Sequence, residues 1–361
     1  MKKTRYIRIP FYGIVIAFWL AVIGLFFFIP SVYRLFAPVK EITLLTWAGV
    51  FDERVMSEFY KKTGIHVNVN YYTSNEELIT LLRATQGKGY DIVVPSDYAV
   101  RILRQDNLLK KIDKKRLNFF NALDRRLMGF KVDEGNDYAL PYDWEIYGLG
   151  YDTTFFPDGL PNPSWSWIFT DPGTFEITML NDPIEVVRLA AFYLFGSIPS
   201  LNEIQLRAVR DLLVKQHGWV AAYTGSRPDY FLLTHNCPLV VTTWSSILRG
   251  LSQADHLEFV IPKEGAFISI EHLALSRATK RDNYIYAFLN FVYQDNVMRY
   301  LFDAESALPT RADVLSELSL NKDIENLLRL PREEFVRRVH FFKPLVSEEI
   351  LYNLWIDVKA R

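Results

Sequence analysis

Two carboxylates three residues apart, Asp182 and Glu185, lie in the stretch LNDPIEVV and could serve either a helix terminus or a positively charged ligand. Asp is a favoured helix N-cap, Pro183 suits the first helical position, and an acid three residues after the cap can reach back to it. The helix dipole also favours ionised acids at that end, so the same side chains can face a ligand. The stretch alone favours capping, and the rest of the chain must decide whether binding is added.

The composition limits the class of protein. The chain has 361 residues, half of them hydrophobic, which is enough for a large core and favours two or three domains. A formal net charge of −1 gives no indication of a nucleic-acid-binding surface. The single cysteine, Cys237, excludes a disulfide within the chain, and we interpret it as a small buried hydrophobic residue.

Sequence signals for catalysis are weak. The chain has no HExxH pair, GxSxG elbow, P-loop or GxGxxG motif. Two acids three residues apart on one helix are neighbours, so they do not straddle a substrate as paired glycosidase acids do. No metal-ligand spacing joins the six histidines, which are His66, His217, His235, His256, His272 and His340. We therefore predict a protein that is not an enzyme and that holds no cofactor and no metal.

The first forty residues differ from the rest of the chain. A basic cluster precedes FYGIVIAFWLAVIGLFFFIP, and no charge occurs between Arg8 and Arg34. About twenty apolar residues can span a bilayer as a helix, whereas a cleavable signal has an apolar core of roughly 7–15 residues. Pro38, directly after Ala37, should obstruct cleavage at the one plausible exit. We predict an uncleaved signal-anchor with residues from 40 onward outside the membrane, and a long cleaved signal is the alternative.

After residue 40, strand patterns alternate with helix patterns, which predicts an α/β fold with a parallel sheet. In a first unit, strands are predicted at Glu41–Trp47, Ile65–Tyr72 and Tyr90–Ser96. In a second unit, they are predicted at Ile177–Leu180, Leu239–Trp244 and Leu257–Pro262. The segment Phe267–Ser276 predicts a return to the first unit. The C-terminal third is predicted to be helical, with helix starts at Pro331 and Ser347.

Several candidate binding residues fall where predicted strands end. Trp47, Ser96 and Tyr98 close two strands of the first unit, Trp244 closes a strand of the second, and Asp182 begins the helix after another. Ligands of open α/β sheets bind beyond the carboxyl ends of the strands. Aromatic rings present a negative face and carboxylates carry charge, so this combination predicts a site for an organic cation.

At these positions the chain resembles the spermidine/putrescine-binding proteins of bacterial ABC importers, which have the type II periplasmic-binding-protein fold. The resemblance extends from about Leu44 to Thr310. It rests on the order and spacing of the stretches TW, FYKKTGIHVNV, YDIVVPSDY, KKIDKKRLNFFNALD, NDYALPYDWEIYGLGYD, SWSWIF, DPIE, PKEGAF and ALPTRAD, together with Trp244.

The resemblance implies two α/β lobes that close on a ligand like a clamshell. The N-terminal transmembrane anchor helix that the apolar run predicts would precede them. The predicted domains are residues 1–39 for the anchor, 40–145 for the first part of lobe 1, 146–265 for lobe 2, 266–320 for the return to lobe 1, and 321–361 for the C-terminal helices.

The resemblance also assigns roles to aromatic and hydroxyl side chains. Trp47 corresponds to a ring that packs along the polyamine, and Trp244 to a ring on the second lobe. Ser96 and Tyr98 correspond to the hydroxyl and the aromatic side chain of a loop in the first lobe.

Three acids correspond to the family's ammonium-binding carboxylates. Asp182 matches a carboxylate that holds an ammonium group, with Glu185 as its partner. Glu271 stands where the family usually has an aspartate for another amine. Since Glu271 precedes His272 on a predicted strand, the strand register decides which of the two faces the cleft.

Part of the family's aromatic cage is missing from this sequence. Val50 and Leu308 stand where tyrosines are expected, Ser269 where a tryptophan is expected, and Ala48 replaces a threonine. At about 0.5–2 kcal/mol per cation–π contact, these losses would weaken binding by one to several decades. The neighbouring rings of Phe51 or Phe267 are candidates to fill the gaps. The sequence therefore supports an organic cation as the ligand more strongly than it supports a polyamine in particular.

We predict an extracytoplasmic solute-binding protein of an ABC importer that captures a polyamine between its two lobes. Its expected partners are the ligand and the permease subunits in the membrane, it is expected to be a monomer in the periplasm held by its N-terminal helix, and no nucleic acid is expected. A sensory or co-receptor role for another organic cation on the same clamshell is the alternative.

Overall fold

The computed structural model describes residues 13, 15, 18–20, 22–24, 40–225 and 227–360. The chain divides into two units, residues 1–41 and 42–361, and the account below concerns the second. The predicted anchor falls almost entirely outside the described residues. Among the residues that are described, no helix is both long and apolar enough to cross a membrane.

Residues 42–361 are built on a mixed sheet of twelve strands. The strands are β1 (Glu41–Thr46), β2 (His66–Tyr71), β3 (Ile92–Val93), β4 (Leu109–Lys110), β5 (Ala139–Asp152), β6 (Ile177–Leu180), β7 (Val220–Thr224), β8 (Leu239–Thr243), β9 (Leu257–Val260), β10 (Ala266–Ser276), β11 (Leu308–Pro309) and β12 (Val339–Phe341). The main path through the sheet is β2-β1-β3-β10-β5-β8-β6-β7. Strands β4 and β12 pair with β10, and β9 and β11 pair with β5.

Two long strands, β5 and β10, join the two ends of this path, and each runs antiparallel to its neighbours on the path. β5 pairs antiparallel with β8 and with β10, while β10 pairs antiparallel with β3. Parallel pairing is found toward each end of the path, between β1 and β3 and between β6 and both β7 and β8, and off the path between β10 and β12. The predicted parallel sheet is therefore correct only in part, because the observed sheet is mixed. The 14-residue β5 was not predicted, although it forms the middle of the sheet.

The predicted strands of the first unit are present but shorter. The run Tyr90–Ser96 forms a ladder only at Ile92–Val93, because Pro95 has no N–H to donate. The backbone N–H of Val94 still donates to the carbonyl of Leu45. Because β3 is short, Ser96 and the residues after it lie beyond its carboxyl end.

Helices cover the sheet and connect its strands. The α-helices are Glu53–Thr63, Asn75–Thr85, Asp97–Gln105, Ser166–Phe169, Pro183–Phe195, Glu203–Gln216, Asp229–Leu233, Trp244–Leu251, Asp282–Val292, Asp295–Glu305, Ala312–Leu315, Lys322–Leu328, Arg332–Arg338 and Glu348–Lys359. Short 3-10 turns occur at Lys114–Arg116, Phe120–Ala122, Arg125–Leu127 and His217–Trp219. The predicted starts at Pro331 and Ser347 are the N-cap positions of the helices that follow them.

Two clusters of buried hydrophobic residues lie mainly in different parts of the chain, while a third combines residues from both predicted units. One cluster draws on residues between 42 and 142 and between 273 and 314. Another draws mainly on residues between 149 and 241 and between 342 and 358. Residues 42–361 nevertheless form a single compact unit by their contacts. The predicted lobe boundaries therefore stay a prediction.

The middle of β5 is packed too closely for a side chain at Gly148. A Cβ there would lie 2.6 Å from the carbonyl oxygen of Val260 and 2.7 Å from Cζ of Phe259. We expect Gly148→Ala to lower the free energy of unfolding by about 1–3 kcal/mol, because a backbone carbonyl cannot move aside as a flexible side chain can. Denaturant unfolding of the full chain measures this loss.

Gly218→Ala is the matched control, because a Cβ at Gly218 would meet no atom within 4 Å. That variant should unfold within about 0.5 kcal/mol of the parent chain. Equal stability of the Gly148 and Gly218 variants would contradict the packing described for β5.

Candidate cation-binding site

A cavity of about 710 Å³ lies where several strand ends and helix starts converge. Its charged lining residues are Glu76, Asp97, Glu145, Asp182, Glu185, Arg227, Arg249 and Glu271. Its aromatic lining residues are Trp47, Tyr98, Tyr147 and Phe342. Six carboxyl groups thus face two guanidinium groups in this wall, and the excess of acid points to a positively charged ligand.

Glu271 is the centre of one side of the cavity. Its Oε2 accepts a hydrogen bond from the indole Nε1 of Trp47 at 2.8 Å, and its Oε1 accepts one from the hydroxyl of Ser96 at 2.5 Å. The hydroxyl of Ser269 also donates to Oε1 at 3.4 Å. Burial raises the pKa of Glu271 to about 7, while the hydrogen bonds from Ser96 and Trp47 act in the opposite direction. This carboxyl group is therefore held in place but only partly ionised near neutral pH.

The register of β10 decides between Glu271 and its neighbour His272. Glu271 pairs with Asp143 of β5 and lines the cavity. The pairing shifts between Glu271 and His272, and the His272 side chain is buried away from solvent. Burial lowers the pKa of His272 to about 4, so it carries no charge at neutral pH.

Asp182 does cap a helix, as its position predicts. Its Oδ1 accepts from the backbone N–H groups of Ile184 at 2.7 Å and of Glu185 at 3.1 Å, at the start of the helix Pro183–Phe195. The second oxygen, Oδ2, takes no part in the cap. Loss of hydration beside the surrounding protein atoms raises the pKa of Asp182, whereas the two backbone hydrogen bonds act to lower it. Capping and a place in the cavity wall are thus combined in one side chain.

Glu185 does not complete a capping box. Its Oε1 accepts a hydrogen bond from the hydroxyl of Tyr147 at 3.0 Å. Burial raises the pKa of Glu185 to about 8, with the nearby Asp182 carboxylate acting in the same direction. Without a cation beside it, this side chain is mainly protonated at neutral pH.

Tyr98 contacts both a carboxyl group of the wall and a hydrophobic cluster. Its hydroxyl donates to Oε1 of Glu76 at 2.6 Å, and its ring packs against the cluster formed mainly by residues 149–241 and 342–358. Burial raises the pKa of Tyr98, and the carboxylates of Glu76 and Asp182 act in the same direction. The hydroxyl is therefore a permanent donor that orients Glu76.

The structure brings six of the seven predicted site residues to one cavity: Trp47, Ser96, Tyr98, Asp182, Glu185 and Glu271. The seventh, Trp244, differs from its predicted place. β8 ends at Thr243, whose hydroxyl accepts from Ser246 N–H and caps the next helix, so Trp244 is the first helical residue. Its indole is 5% exposed and packs against Phe259 in the core.

The rings proposed as replacements for the missing cage also lie in the core. Phe51 stacks on Tyr142 with ring centroids 4.9 Å apart, and Phe267 is fully buried. Phe342, which was not singled out in the sequence, lines the cavity instead, and its ring meets that of Tyr147 edge-on at 4.8 Å. Phe342 lies beyond the segment that carries the resemblance, so no sequence signal pointed to it.

Other lining residues had a signal that could have been used. In the stretch YDWEIYG, the residues Asp143, Glu145 and Tyr147 alternate with the buried Trp144 and Ile146. Such a period of two is typical of a strand with one polar face. The structure places this stretch in β5. Its polar face supplies Glu145 and Tyr147 to the cavity, and Asp143 to an adjoining cavity of about 250 Å³.

The two guanidinium groups of the wall have partners within the protein. Arg227 forms an ion pair with the buried Asp229, with Nη2 and Oδ2 2.9 Å apart. Arg249 donates from Nη2 to the hydroxyl of Ser246 at 3.2 Å and lowers the pKa of Glu145, although burial raises that pKa overall. Two cations engaged in this way leave several carboxyl groups of the wall for a ligand.

The arrangement can bind a flexible organic cation by exchange of its water for carboxylates and ring faces. Carboxyl groups stand on two sides, at Glu271 and at the pair Asp182 and Glu185, and the rings of Trp47 and Tyr98 lie in the same wall. Charge-assisted hydrogen bonds and cation–π contacts are the interactions that such a wall offers.

Comparison with known proteins agrees with this chemistry. A sequence model of the family "Bacterial extracellular solute-binding protein" matches residues 54–327. The putrescine-binding periplasmic protein SpuD of Pseudomonas aeruginosa is 26% identical over 341 residues, which cover 89% of this chain and 92% of that protein. The spermidine/putrescine-binding periplasmic protein of Salmonella typhimurium is 27% identical over 253 residues, which cover 70% of this chain and 72% of the relative.

Solved structures share the fold. A putative spermidine/putrescine ABC transporter protein from Listeria monocytogenes superposes with a TM-score of 0.70 at 24% identity, covering 89% of this chain and 99% of that one. The Tp0655 (TpPotD) lipoprotein of Treponema pallidum superposes with a TM-score of 0.71 at 19% identity, covering 89% of this chain and 100% of that one. The chain therefore has the periplasmic-binding-protein fold.

The raised pKa values of Glu185 and Glu271 predict how stability depends on pH in the absence of ligand. Both carboxyl groups bind protons in the folded chain at pH values where a free glutamate, with a pKa near 4.5, has lost its proton. The folded state therefore holds more protons between about pH 4.5 and 8. The free energy of unfolding should fall as pH rises through this window, by up to about 1.4 kcal/mol per pH unit for each proton.

Denaturant unfolding at a series of pH values measures this slope. Glu185→Gln removes one of the two protons, so its curve should be flatter and its stability near pH 8 higher than that of the parent chain. Glu134→Gln, at an exposed position, should leave the curve unchanged. A parent chain whose stability rises between pH 5 and 8 with the same slope in both variants would contradict the burial of these acids.

Proposed function

The chain belongs to the family of bacterial extracellular solute-binding proteins, and on this basis we propose that it binds a polyamine such as putrescine or spermidine for an ABC importer. The observation that carries the proposal is the excess of carboxyl groups over guanidinium groups in an aromatic-lined cavity. Relatives named as putrescine-binding and spermidine/putrescine-binding proteins support it.

The positions of the acids suit a ligand with more than one ammonium group. Glu271, fixed by Trp47 and Ser96, would hold one ammonium group. Asp182 and Glu185, at the start of one helix, would hold another. The methylene chain between the ammonium groups would lie against the rings in the wall, where its apolar surface is removed from water.

Binding would also change the protonation of the cavity. A cation close to Glu185 or Glu271 favours the ionised carboxylate, so the pKa values of about 8 and about 7 would fall when the ligand enters. The cavity thus exchanges protons for ligand ammonium groups. This exchange limits the repulsion among the acids while the cavity is empty.

The aromatic residues of this cavity differ from those of the family's cage. We expect this difference to change how the ligand is held rather than which class of ligand is bound. Val50, Ser269 and Leu308 supply no rings at the positions of the missing cage. Phe342 and Tyr147 provide aromatic surface in the wall instead. A ligand held mainly by carboxylates should tolerate differences in chain length between diamines and triamines better than one enclosed by tryptophans.

The rest of the mechanism follows the predicted clamshell. Residues 40–145 and 266–320 would form one lobe and residues 146–265 the other, with β5 and β10 crossing between them. A ligand that contacts both lobes would favour the closed state, which the permease subunits would recognise. In this scheme the protein acts as a monomer and carries out no chemistry on its ligand.

The central test is ligand-dependent thermal unfolding of the full chain with putrescine, cadaverine, spermidine and agmatine. A ligand at 100 times its dissociation constant should stabilise the fold by about 2.7 kcal/mol. Asp182→Asn should weaken binding by about tenfold or more, because a charge-assisted hydrogen bond contributes roughly 1.5–3 kcal/mol. Asparagine also caps helices, so the fold should be retained.

Asp52→Asn is the matched control, since Asp52 caps the helix Glu53–Thr63 outside the cavity. That variant should bind polyamines as the parent chain does. No thermal shift with any amine, or equal affinity in the two asparagine variants, would refute the proposal.

We also propose that residues 1–39 anchor the protein on the outer side of the cytoplasmic membrane. The proposal rests on the uncharged run between Arg8 and Arg34 and on Pro38 at the exit of that run. The expressed chain should stay in the membrane fraction after an alkaline carbonate wash, and its N-terminal peptide should be found intact by mass spectrometry. A soluble chain that begins near Pro38 would show instead that the segment is a cleaved signal.

A further inference from the structure

Among the described residues, a group of metal-ligating side chains lies outside the cavity wall. Asp152, His235 and His256 each offer one ligand atom, and these atoms all lie within 4.8 Å of one another. Asp152 is the last residue of β5, His235 follows the helix Asp229–Leu233, and His256 directly precedes β9. Their wide separation in sequence explains why histidine spacing alone predicted no metal.

Asp152 is held so that one oxygen faces the imidazoles. Its side chain is buried, and its Oδ1 accepts hydrogen bonds from both the backbone N–H and the hydroxyl of Thr154, at 2.7 and 2.6 Å. Its Oδ2 lies 2.5 Å from Nδ1 of His235. Because Oδ1 already has two donors, Oδ2 is the oxygen that a metal ion could use, and the ion would take the place of the proton that Oδ2 shares with Nδ1 of His235.

His256 is fixed at both its ring and its backbone. Its ring Nε2 lies 3.1 Å from the carbonyl oxygen of Leu232, and its own carbonyl accepts from the N–H and the hydroxyl of Thr153. A neutral imidazole that donates one N–H keeps a lone pair on its other nitrogen. Metal-binding histidines typically donate their second N–H to a carbonyl or a carboxylate in this way.

His235 has a backbone conformation that is unusual for its residue type. Its φ is +54°, in the left-handed region, and its N–H donates to the carbonyl of Leu232 to close the turn. Such a conformation is strained for a residue with a side chain. The turn places the imidazole over Asp152 and nearly parallel to the ring of His256, with centroids 4.4 Å apart. A glycine would form the same turn at lower cost but would supply no ligand.

We propose that Asp152, His235 and His256 form a zinc site. Two imidazoles and one carboxylate suit Zn²⁺, whereas Ca²⁺ and Mg²⁺ prefer oxygen ligands alone. The His235 side chain is 55% exposed, so water can take the fourth position and the ion can enter from solvent. Because imidazole lone pairs lie in the ring planes and the two rings are nearly parallel, at least one ring must rotate about its side-chain torsions before the ligand atoms reach the roughly 2 Å metal distances that zinc requires.

The bound ion would tie together three segments, of which β5 contributes to the ligand cavity and the segment of His235 adjoins residues that do. β5 supplies Glu145 and Tyr147 to the cavity wall, and the segment that contains His235 lies between Arg227 and β8. Zinc would therefore stabilise the predicted second lobe, residues 146–265, without contact with the ligand itself. This role is independent of the identity of the solute.

The test is titration of chelator-treated, tag-free full chain with ZnCl₂, followed by calorimetry and by thermal unfolding. One equivalent of zinc should bind and raise the unfolding temperature, and a chelator should reverse the rise. His235→Asn and His256→Gln should each weaken zinc binding at least tenfold. Asparagine is chosen at position 235 because it tolerates the left-handed conformation.

His66→Gln is the control, since His66 is an exposed imidazole outside this group. It should bind zinc as the parent chain does, and Mg²⁺ should not compete. Putrescine binding by the His235 and His256 variants should be retained, which would show that each variant is folded and that its cavity is intact. No zinc binding by the parent chain, or binding that all three histidine variants retain equally, would overturn the proposal and leave a simple His–Asp hydrogen bond.

Discussion

One cavity wall holds six carboxyl groups and only two guanidinium groups, and this imbalance governs the rest of the site. Buried carboxylates repel one another and lose hydration, so the wall limits its charge through proton uptake at Glu185 and Glu271. A cationic ligand removes the need for those protons. Acids that give up these protons when a cation binds suit a positively charged ligand.

The sheet and its helices hold the carboxyl groups of the cavity in place from several secondary-structure elements. β10 fixes Glu271, and β5 fixes Glu145 and Tyr147 on one polar face. The helix that Asp182 caps brings a third group of atoms to the same space. Glu271, Glu185 and Asp182 are each held by hydrogen bonds from an indole, a hydroxyl or a backbone N–H of the protein itself. Preorganisation of this kind reduces the entropy lost on binding.

The aromatic part of the wall differs from the family pattern in a way that the core explains. Phe51 and Phe267 belong to hydrophobic clusters and do not line the cavity. Trp244 is likewise used in packing. Phe342, from the segment after β12, reaches the cavity because that segment lies beside Tyr147. Phe342 thus belongs both to a hydrophobic cluster and to the cavity wall.

The sequence by itself determined the local features of this protein and most of its candidate site. Helix caps at Asp182 and Ser347, short apolar strands and the order of motifs depend on neighbouring residues, so they could be predicted without the structure. The role of β5 could not, because its antiparallel partners are about a hundred residues away or more. Register placed Glu271 rather than His272 in the cavity, and packing placed Trp244 in the core. These outcomes depend on contacts between distant segments, and only the tertiary structure brings those segments together.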